Sequence, residues 1–268
     1  MGSVGHPSDA MEREADSVAS AVSDMPVVRH RQIPHVRGRA SAPAIARRVA
    51  AGTSNCPANA NGAPANPIAA LTPVDARAEA LVQGTATLLA IVSVLVGAGI
   101  RNPAAGVELA YRNTFGLPPA RPGGFLNRLT GVVRPTLEAA LAEEMGLLAN
   151  RYALMARLFG QNVAYRCRVP DNFGGCAPTV ADCAAGDALS CNGVGAIWLC
   201  ATYWGFTNDA QAGVLIHEAA HIIWGNVIHG ARGSGGNFRH AECYAELVAQ
   251  IFGFANAPTG APCNPPGP

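Results

Sequence analysis

The chain has 268 residues, a formal net charge of +1 at pH 7 and only 14% charged residues. This length is ample for a hydrophobic core of one or two domains, and the near-neutral charge argues against nucleic acid as the main partner. Five of the eight cysteines lie between Cys167 and Cys200, and no CxxC pair occurs. This pattern favours disulfides in an oxidising compartment over a zinc ribbon or buried thiols.

Residues 1–70 are predicted to form a mobile leader and linker. No acidic residue occurs from Pro26 to Val74, and six arginines crowd into Arg29–Arg48. Because this stretch has few large apolar side chains, it cannot offset the entropy cost of ordering. Met1–Met25 has no apolar signal core, so we expect export without a cleaved signal peptide.

Residues 71–160 are predicted as the helical half of one domain that covers 71–256. Helices are expected from Asp75, over Ala104–Phe115 and over Pro135–Phe159. The third helix has apolar residues three and four positions apart, which predicts one buried face. These residues are Leu137, Leu141, Met145, Leu148, Tyr152, Met155 and Phe159.

An uncharged run of 21 residues separates Glu79 from Arg101 within the first of these helices. Its length is sufficient to cross a bilayer. Polar residues such as Gln83 dilute it, and Gly97 ends the apolar part early, so we interpret it as a buried helix of a globular domain. A membrane-active toxin in which Leu81–Ile100 inserts is the alternative.

Residues 161–256 are predicted as the second half of the domain, and residues 257–268 as a loose proline-rich tail. Cys167–Thr207 is rich in glycine and cysteine and is expected to be irregular, with one short strand at Ala196–Cys200. A helix capped by Thr207 or Asn208 and closed by Gly225 should follow. After a glycine-rich loop, the last helix is expected over Phe238–Phe254.

The segment His217-Glu218-Ala219-Ala220-His221 is an HExxH sequence inside an apolar stretch. On a helix, the two histidines lie one turn apart on the same face, so both imidazoles can bind one metal ion. Glu218 lies beside them, where it can take a proton from a bound water. We therefore predict a catalytic zinc ion held by His217 and His221, with Glu218 as the general base. The alternative is a pair of core histidines without a metal.

A catalytic zinc ion takes a third protein ligand, for which Glu242 is our choice. It lies 21 residues after His221, near the start of the last helix. Glu246, one turn later, is positioned to accept a hydrogen bond from a ligand histidine. His229 and His240 are the competing ligands, because imidazole also binds zinc.

Two further roles are open from the sequence. Tyr244 or Tyr203 is a candidate donor to the developing oxyanion. The strand segment Ile197–Leu199 is a candidate binding edge for the substrate backbone, or else a strand that only packs in the core.

Three segments resemble the deuterolysin and lysine-specific metallo-endopeptidase group of zincins. They are VLIHEAAHIIW at Val214–Trp224, AIWLCATYW at Ala196–Trp204 and AECYAELV at Ala241–Val248. The likeness covers about Asp75 to Ala255, and HEAAH is its one sharp motif. It implies an α+β zincin fold, the motif histidines as zinc ligands and the motif glutamate as base.

The segment after the motif departs from that group. The group takes its third ligand from an aspartate in a Gly-Thr-x-Asp loop, whereas His229–His240 contains no aspartate. Glu242 and Glu246 instead resemble the gluzincin pattern, in which a helix supplies a glutamate ligand and a second acid one turn later. This resemblance implies Glu242 as the third ligand.

The leader carries a second resemblance. His6–Asp16 contains the sequence EREAD, and this segment is similar to one found in bacterial proteins associated with extracellular contractile injection systems. The likeness implies a delivery region that precedes a cargo domain, with an injection particle as carrier.

Together these features predict a mainly helical α+β fold with a Cys/Gly-rich irregular subdomain and a disordered N-terminal arm. The predicted function is zinc-dependent hydrolysis of peptide bonds in protein substrates by a secreted or injected bacterial effector. The alternatives are the membrane-active toxin, with a structural or vestigial metal site, and an inactive binding module on a zincin scaffold.

Overall fold

The computed structural model describes residues 56–100, 105–115, 136–160, 163–224, 240–255 and 263. In these ranges the protein is mainly helical with one small sheet, as the sequence predicts for an α+β fold. All of them belong to one unit, residues 43–268. Residues 1–55, which hold most of the predicted mobile arm, lie outside the description, as does the predicted tail apart from Cys263.

Six α-helices and three strands are formed by the described residues. In chain order they are α1 (Pro67–Gly97), α2 (Ala105–Phe115), α3 (Thr136–Gly160), β1 (Ala164–Arg166), α4 (Val180–Ala185), β2 (Ala188–Ser190), β3 (Ala196–Leu199), α5 (Asn208–Ile223) and α6 (Ala241–Phe252).

Helix α1 begins at Pro67, before the predicted start at Asp75. The Asn66 side chain accepts a hydrogen bond from the backbone N–H of Ala69 (3.1 Å), and proline fits the first helical position because it has no N–H to satisfy there. The predicted boundary between leader and domain at residue 70 therefore lies inside a helix of the folded unit.

Helix α1 packs along α3 and buries one face against it. The Ser93 hydroxyl donates to the backbone carbonyl of Ala142 (2.7 Å), and a Cβ at Gly146 would lie 3.2 Å from the Ser93 oxygen. Gly146, which has no side chain, thus permits close approach of α1 and α3. The predicted apolar face of α3 is confirmed from Leu141 to Phe159, where its side chains are at most 1% exposed.

The three strands form one sheet in the order β1-β3-β2. Strand β1 pairs parallel with β3, and β2 pairs antiparallel with it, with Ser190 opposite Ile197. Because both edges of β3 are occupied, Ile197–Leu199 cannot pair with a substrate backbone. The core-strand interpretation of this segment is therefore correct, and the binding-edge interpretation is wrong.

Four disulfides link all eight cysteines. The pairs are Cys56–Cys167, Cys176–Cys191, Cys183–Cys200 and Cys243–Cys263. The prediction of disulfides is confirmed, and this number of cross-links is typical of proteins that work in an oxidising environment. Two of the pairs enclose β2, so the Cys/Gly-rich region is held together by covalent links as well as by its short strands.

Helix α5 is the longest described element of the second half of the domain, residues 161–256. The Thr207 side chain accepts a hydrogen bond from the backbone N–H of Ala210 (3.4 Å), as predicted for the cap. Twelve of its residues are buried, so the helix is covered on nearly every side. It ends at Ile223, while Gly225 lies outside the described residues. Helix α6 packs against it and ends at Phe252; the next residue, Gly253, has a φ of 71°, which suits a residue without a Cβ.

The uncharged run contributes both buried and exposed side chains to α1. Leu81 and Leu89 lie in the core, whereas Ile91 and Val94 are 51% and 72% exposed. In the part of the chain that the structure describes, this helical region is the one long and apolar enough to cross a bilayer, judged by length and composition. Only 33% of its most apolar window is buried.

Candidate active site

The HExxH residues lie in the C-terminal half of α5. His217 and Glu218 are 2% and 5% exposed, and His221, one turn later, is partly buried. The ring centroids of the two histidines are 5.0 Å apart, and the ring planes are inclined by 66°. The helix thus brings both imidazoles to one face, as the spacing predicts.

The carboxylate of Glu218 has a neighbour that the sequence did not indicate. The Ser190 hydroxyl lies 2.6 Å from Glu218 Oε2 and 3.1 Å from the Glu218 backbone carbonyl. Ser190 is the last residue of β2, a strand that the sequence analysis did not predict. A three-residue strand leaves too little periodicity to recognise, so no local signal identifies this serine.

The turn that joins β2 to β3 continues along the same helix. The backbone N–H of Gly193 donates to the carbonyl of Ile222 (3.1 Å), near the C-terminal end of α5. Gly193 has a φ of 71°, a conformation that favours glycine. The segment from Ser190 to Gly193 therefore contacts the motif helix at residues 218 and 222 and forms one wall beside the motif.

Helix α6 holds the acidic residues proposed for the third ligand position. Glu242 lies in its first turn and is 6% exposed. Glu246 accepts a hydrogen bond from the Gln250 amide (3.0 Å), which differs from the predicted contact with a ligand histidine. His240 directly precedes the helix and is 6% exposed.

Zinc requires a third donor beside the two imidazoles. Within the described residues, which omit 225–239 and hence His229, no group of three or more histidine, cysteine, aspartate or glutamate side chains is close enough to hold a metal ion. The residues thus fit two ligand positions of a zinc site, and the choice of Glu242 stays a prediction.

The two tyrosines considered as oxyanion donors have different surroundings. Arg151 donates a hydrogen bond to the Tyr244 hydroxyl, and the Tyr244 ring stacks on Trp224 at a centroid distance of 5.2 Å. Burial raises the pKa of Tyr244, an effect that Arg151 partly opposes. Burial, with a smaller effect of Asp75, raises the pKa of Tyr203 well above its ordinary value. Both phenols therefore keep the proton that a donor needs at neutral pH.

The Trp224 and Tyr244 pair joins the end of the motif helix to α6. Arg151 of α3 lies over both rings, 5.0 Å and 6.0 Å from their centroids. The Tyr152 hydroxyl also donates to the backbone carbonyl of Tyr244 (2.7 Å). These contacts fix the C-terminal end of α5 against the helix that carries Glu242.

Comparison with known proteins finds no matching family model, no similar curated protein and no similar solved structure.

Proposed function

We propose that the protein is a zinc-dependent endopeptidase with a zincin-type active site. The observation that carries this proposal is the pair of imidazoles, 5.0 Å apart on one face of a buried helix, with a buried glutamate between them in sequence. Two histidines one turn apart on the same helix face can both bind one metal ion. HExxH is also the arrangement that places a general base beside such an ion.

In this proposal His217 and His221 hold the ion, and Glu242 moves within reach of it as the third ligand when the metal binds, because the three side chains are not grouped closely enough in this structure. Glu242 suits the third position because it is a buried carboxylate in the first turn of a helix that packs against α5. Bound zinc would supply a water of near-neutral pKa and polarise the scissile carbonyl.

Glu218 is the proposed catalytic base. Its carboxylate takes the proton of the attacking water, and the resulting carboxylic acid then gives this proton to the leaving amine of the cleaved peptide bond. One proton is taken up and one is released, so the side chain returns to its starting state after each turnover.

The proposed setting is outside the producing cell. Four disulfides support an oxidising environment. The EREAD segment supports delivery by a contractile injection particle, because it is similar to segments of proteins associated with such particles. We therefore propose a bacterial effector or toxin that is exported or injected into a target cell.

The test measures metal content and cleavage of casein by the full chain. We expect one zinc per chain and cleavage that a chelator abolishes. Glu218→Gln should keep the zinc and lose at least roughly 100-fold in kcat, the usual contribution of a general base. The control is Glu143→Gln, which changes an exposed glutamate of α3 in the same way. Metal-free protein, or full activity of Glu218→Gln, would refute the proposal.

A second candidate function rests on the exposed apolar side chains of α1. Ile91 and Val94 lie on the outer face of a helix that carries no charge from residue 80 to residue 97. This face suits a lipid surface, although full insertion would have to remove Leu81 and Leu89 from the core. Dye release from liposomes that Val94→Asp suppresses would favour a membrane-active toxin, and zinc binding without cleavage or dye release would favour an inactive binding module.

A further inference from the structure

The contact between Ser190 and Glu218 joins two parts of the chain that are 28 residues apart. The serine hydroxyl has one hydrogen to donate and two acceptors within reach, the carboxylate Oε2 at 2.6 Å and the backbone carbonyl at 3.1 Å. The shorter contact is the one to a carboxylate, and charge-assisted hydrogen bonds are roughly twice as strong as neutral ones. The hydrogen is therefore assigned to Oε2.

The position of Ser190 is fixed by its surroundings. Its backbone is paired in register with Ile197 of the central strand, and the next residue, Cys191, is bonded to Cys176. Ser190 is itself partly buried. The backbone of Ser190 is thus held by strand pairing and by the adjacent disulfide, so rotation about χ1 is the main way in which the hydroxyl could leave the carboxylate.

We propose that Ser190 is a positioning residue for the base Glu218, an inference that rests on the proposed peptidase function. A hydrogen bond to Oε2 fixes the rotation of the carboxylate and directs Oε1 toward the attacking water. Glu218 Oε1 then takes the water proton and later gives it to the leaving amine, while Ser190 keeps its own proton throughout. A carboxylate that rotates away from this orientation cannot reach the water, so loss of the hydroxyl lowers turnover.

If Ser190 had only a structural role, the expected results would differ. If the hydroxyl serves only the backbone carbonyl of Glu218, removing it destabilises the strand and leaves turnover by the folded enzyme unchanged. If it serves the carboxylate, its removal lowers kcat and leaves KM nearly unchanged, because substrate binding does not depend on the base.

The kinetic experiment compares three variants of the zinc-loaded full chain. Ser190→Ala should lower kcat by roughly 10- to 100-fold, the range found for residues that orient an active-site group, with KM within about twofold. Ser190→Thr, which retains the hydroxyl, should recover most of this loss. The matched control is Ser93→Ala, which removes a partly buried hydroxyl that donates to a backbone carbonyl between α1 and α3. It should leave kcat unchanged.

A second measurement needs no activity. Urea unfolding of the metal-free chain is compared for Ser190→Ala, Glu218→Ala and the double variant. A hydrogen bond to the carboxylate should make the two changes non-additive by roughly tenfold in the unfolding equilibrium constant. Additive effects would overturn the inference, because the serine would then have no interaction with the carboxylate.

The outcomes separate the inference from the function it rests on. Zinc-loaded wild-type protein that cleaves nothing overturns the peptidase proposal and the catalytic role of Ser190 together. An active wild type with an unchanged kcat in Ser190→Ala overturns the inference alone, as does a change confined to KM or a loss of bound zinc.

Discussion

The disulfide between Cys56 and Cys167 should be the most stabilising of the four. It closes a loop of 111 residues, and the other three pairs all lie after Cys167, so none of them shortens this loop. A cross-link restricts the unfolded chain more when its loop is longer. For this span the chain-entropy relation gives about 4.8 kcal/mol at 25 °C.

The matched comparison is Cys243–Cys263, which closes a span of 20 residues. The same relation gives about 3.3 kcal/mol for this loop. Cys167 and Cys243 are 0% and 1% exposed, so the loss of a buried sulfur is similar in both cases. The difference between the two paired alanine variants should therefore be about 1.5 kcal/mol.

The assay is urea unfolding followed by tryptophan fluorescence under non-reducing conditions, with Tm measured in parallel. Cys56→Ala/Cys167→Ala should lower Tm by about 10–20 °C, given the usual 2–4 °C per kcal/mol for a domain of this size. The reasoning fails if the variant that opens the short loop loses as much stability as this one, because loop length would then not determine the effect.

Three further results are expected. Burial raises the pKa of Tyr152 well above its ordinary value, so the unfolded chain loses the phenol proton at a lower pH than the folded chain does. The contribution of Tyr152 to the free energy of unfolding is therefore complete below pH 10 and falls above it, by up to about 1.4 kcal/mol per pH unit. Tyr152→Phe should reduce this slope, measured by urea unfolding at pH 9 and 11. Asp171→Ala leaves Arg166, about 10% exposed, without its ion pair and should cost roughly 3–5 kcal/mol, whereas Arg77→Ala at an exposed ion pair should cost at most about 1 kcal/mol. Removal of zinc by a chelator should lower Tm in the wild type and leave His217→Ala unchanged.

The helices follow from local patterns, which explains how closely they were anticipated. The predicted ranges Ala104–Phe115 and Pro135–Phe159 agree with α2 and α3, except that α3 ends one residue later, at Gly160; Ala104 and Pro135 lie outside the described residues. The start of α1 was placed too late because Pro67 and Pro73 suggested a linker. Pro67 is compatible with a helix because it occupies the first helical position. Pro73 lies inside α1, where packing of α1 against α3 compensates for the hydrogen bond that this proline cannot donate.

The sheet was anticipated only in part. Ala196–Leu199 is apolar enough to be recognised as a strand, whereas β1 and β2 have three residues each and no distinct pattern. Strand β1 pairs with residues 32 positions away and β2 with residues 7 to 11 positions away, so the propensity of each strand alone does not determine the pairing. For the same reason, the sequence could not show that β3 has neighbours on both sides and offers no edge to a substrate.

The amino-acid sequence by itself determined the buried motif helix and the shared face of His217 and His221, because a period of 3.6 residues and a threonine cap act within one stretch of chain. Only the tertiary structure decided which cysteines pair and which side chain lies against Glu218. The disulfide between Cys56 and Cys167 and the hydrogen bond between Ser190 and Glu218 both depend on how α1, the sheet and α5 pack on one another. Such contacts join residues far apart in the chain, and their geometry is set by the whole core.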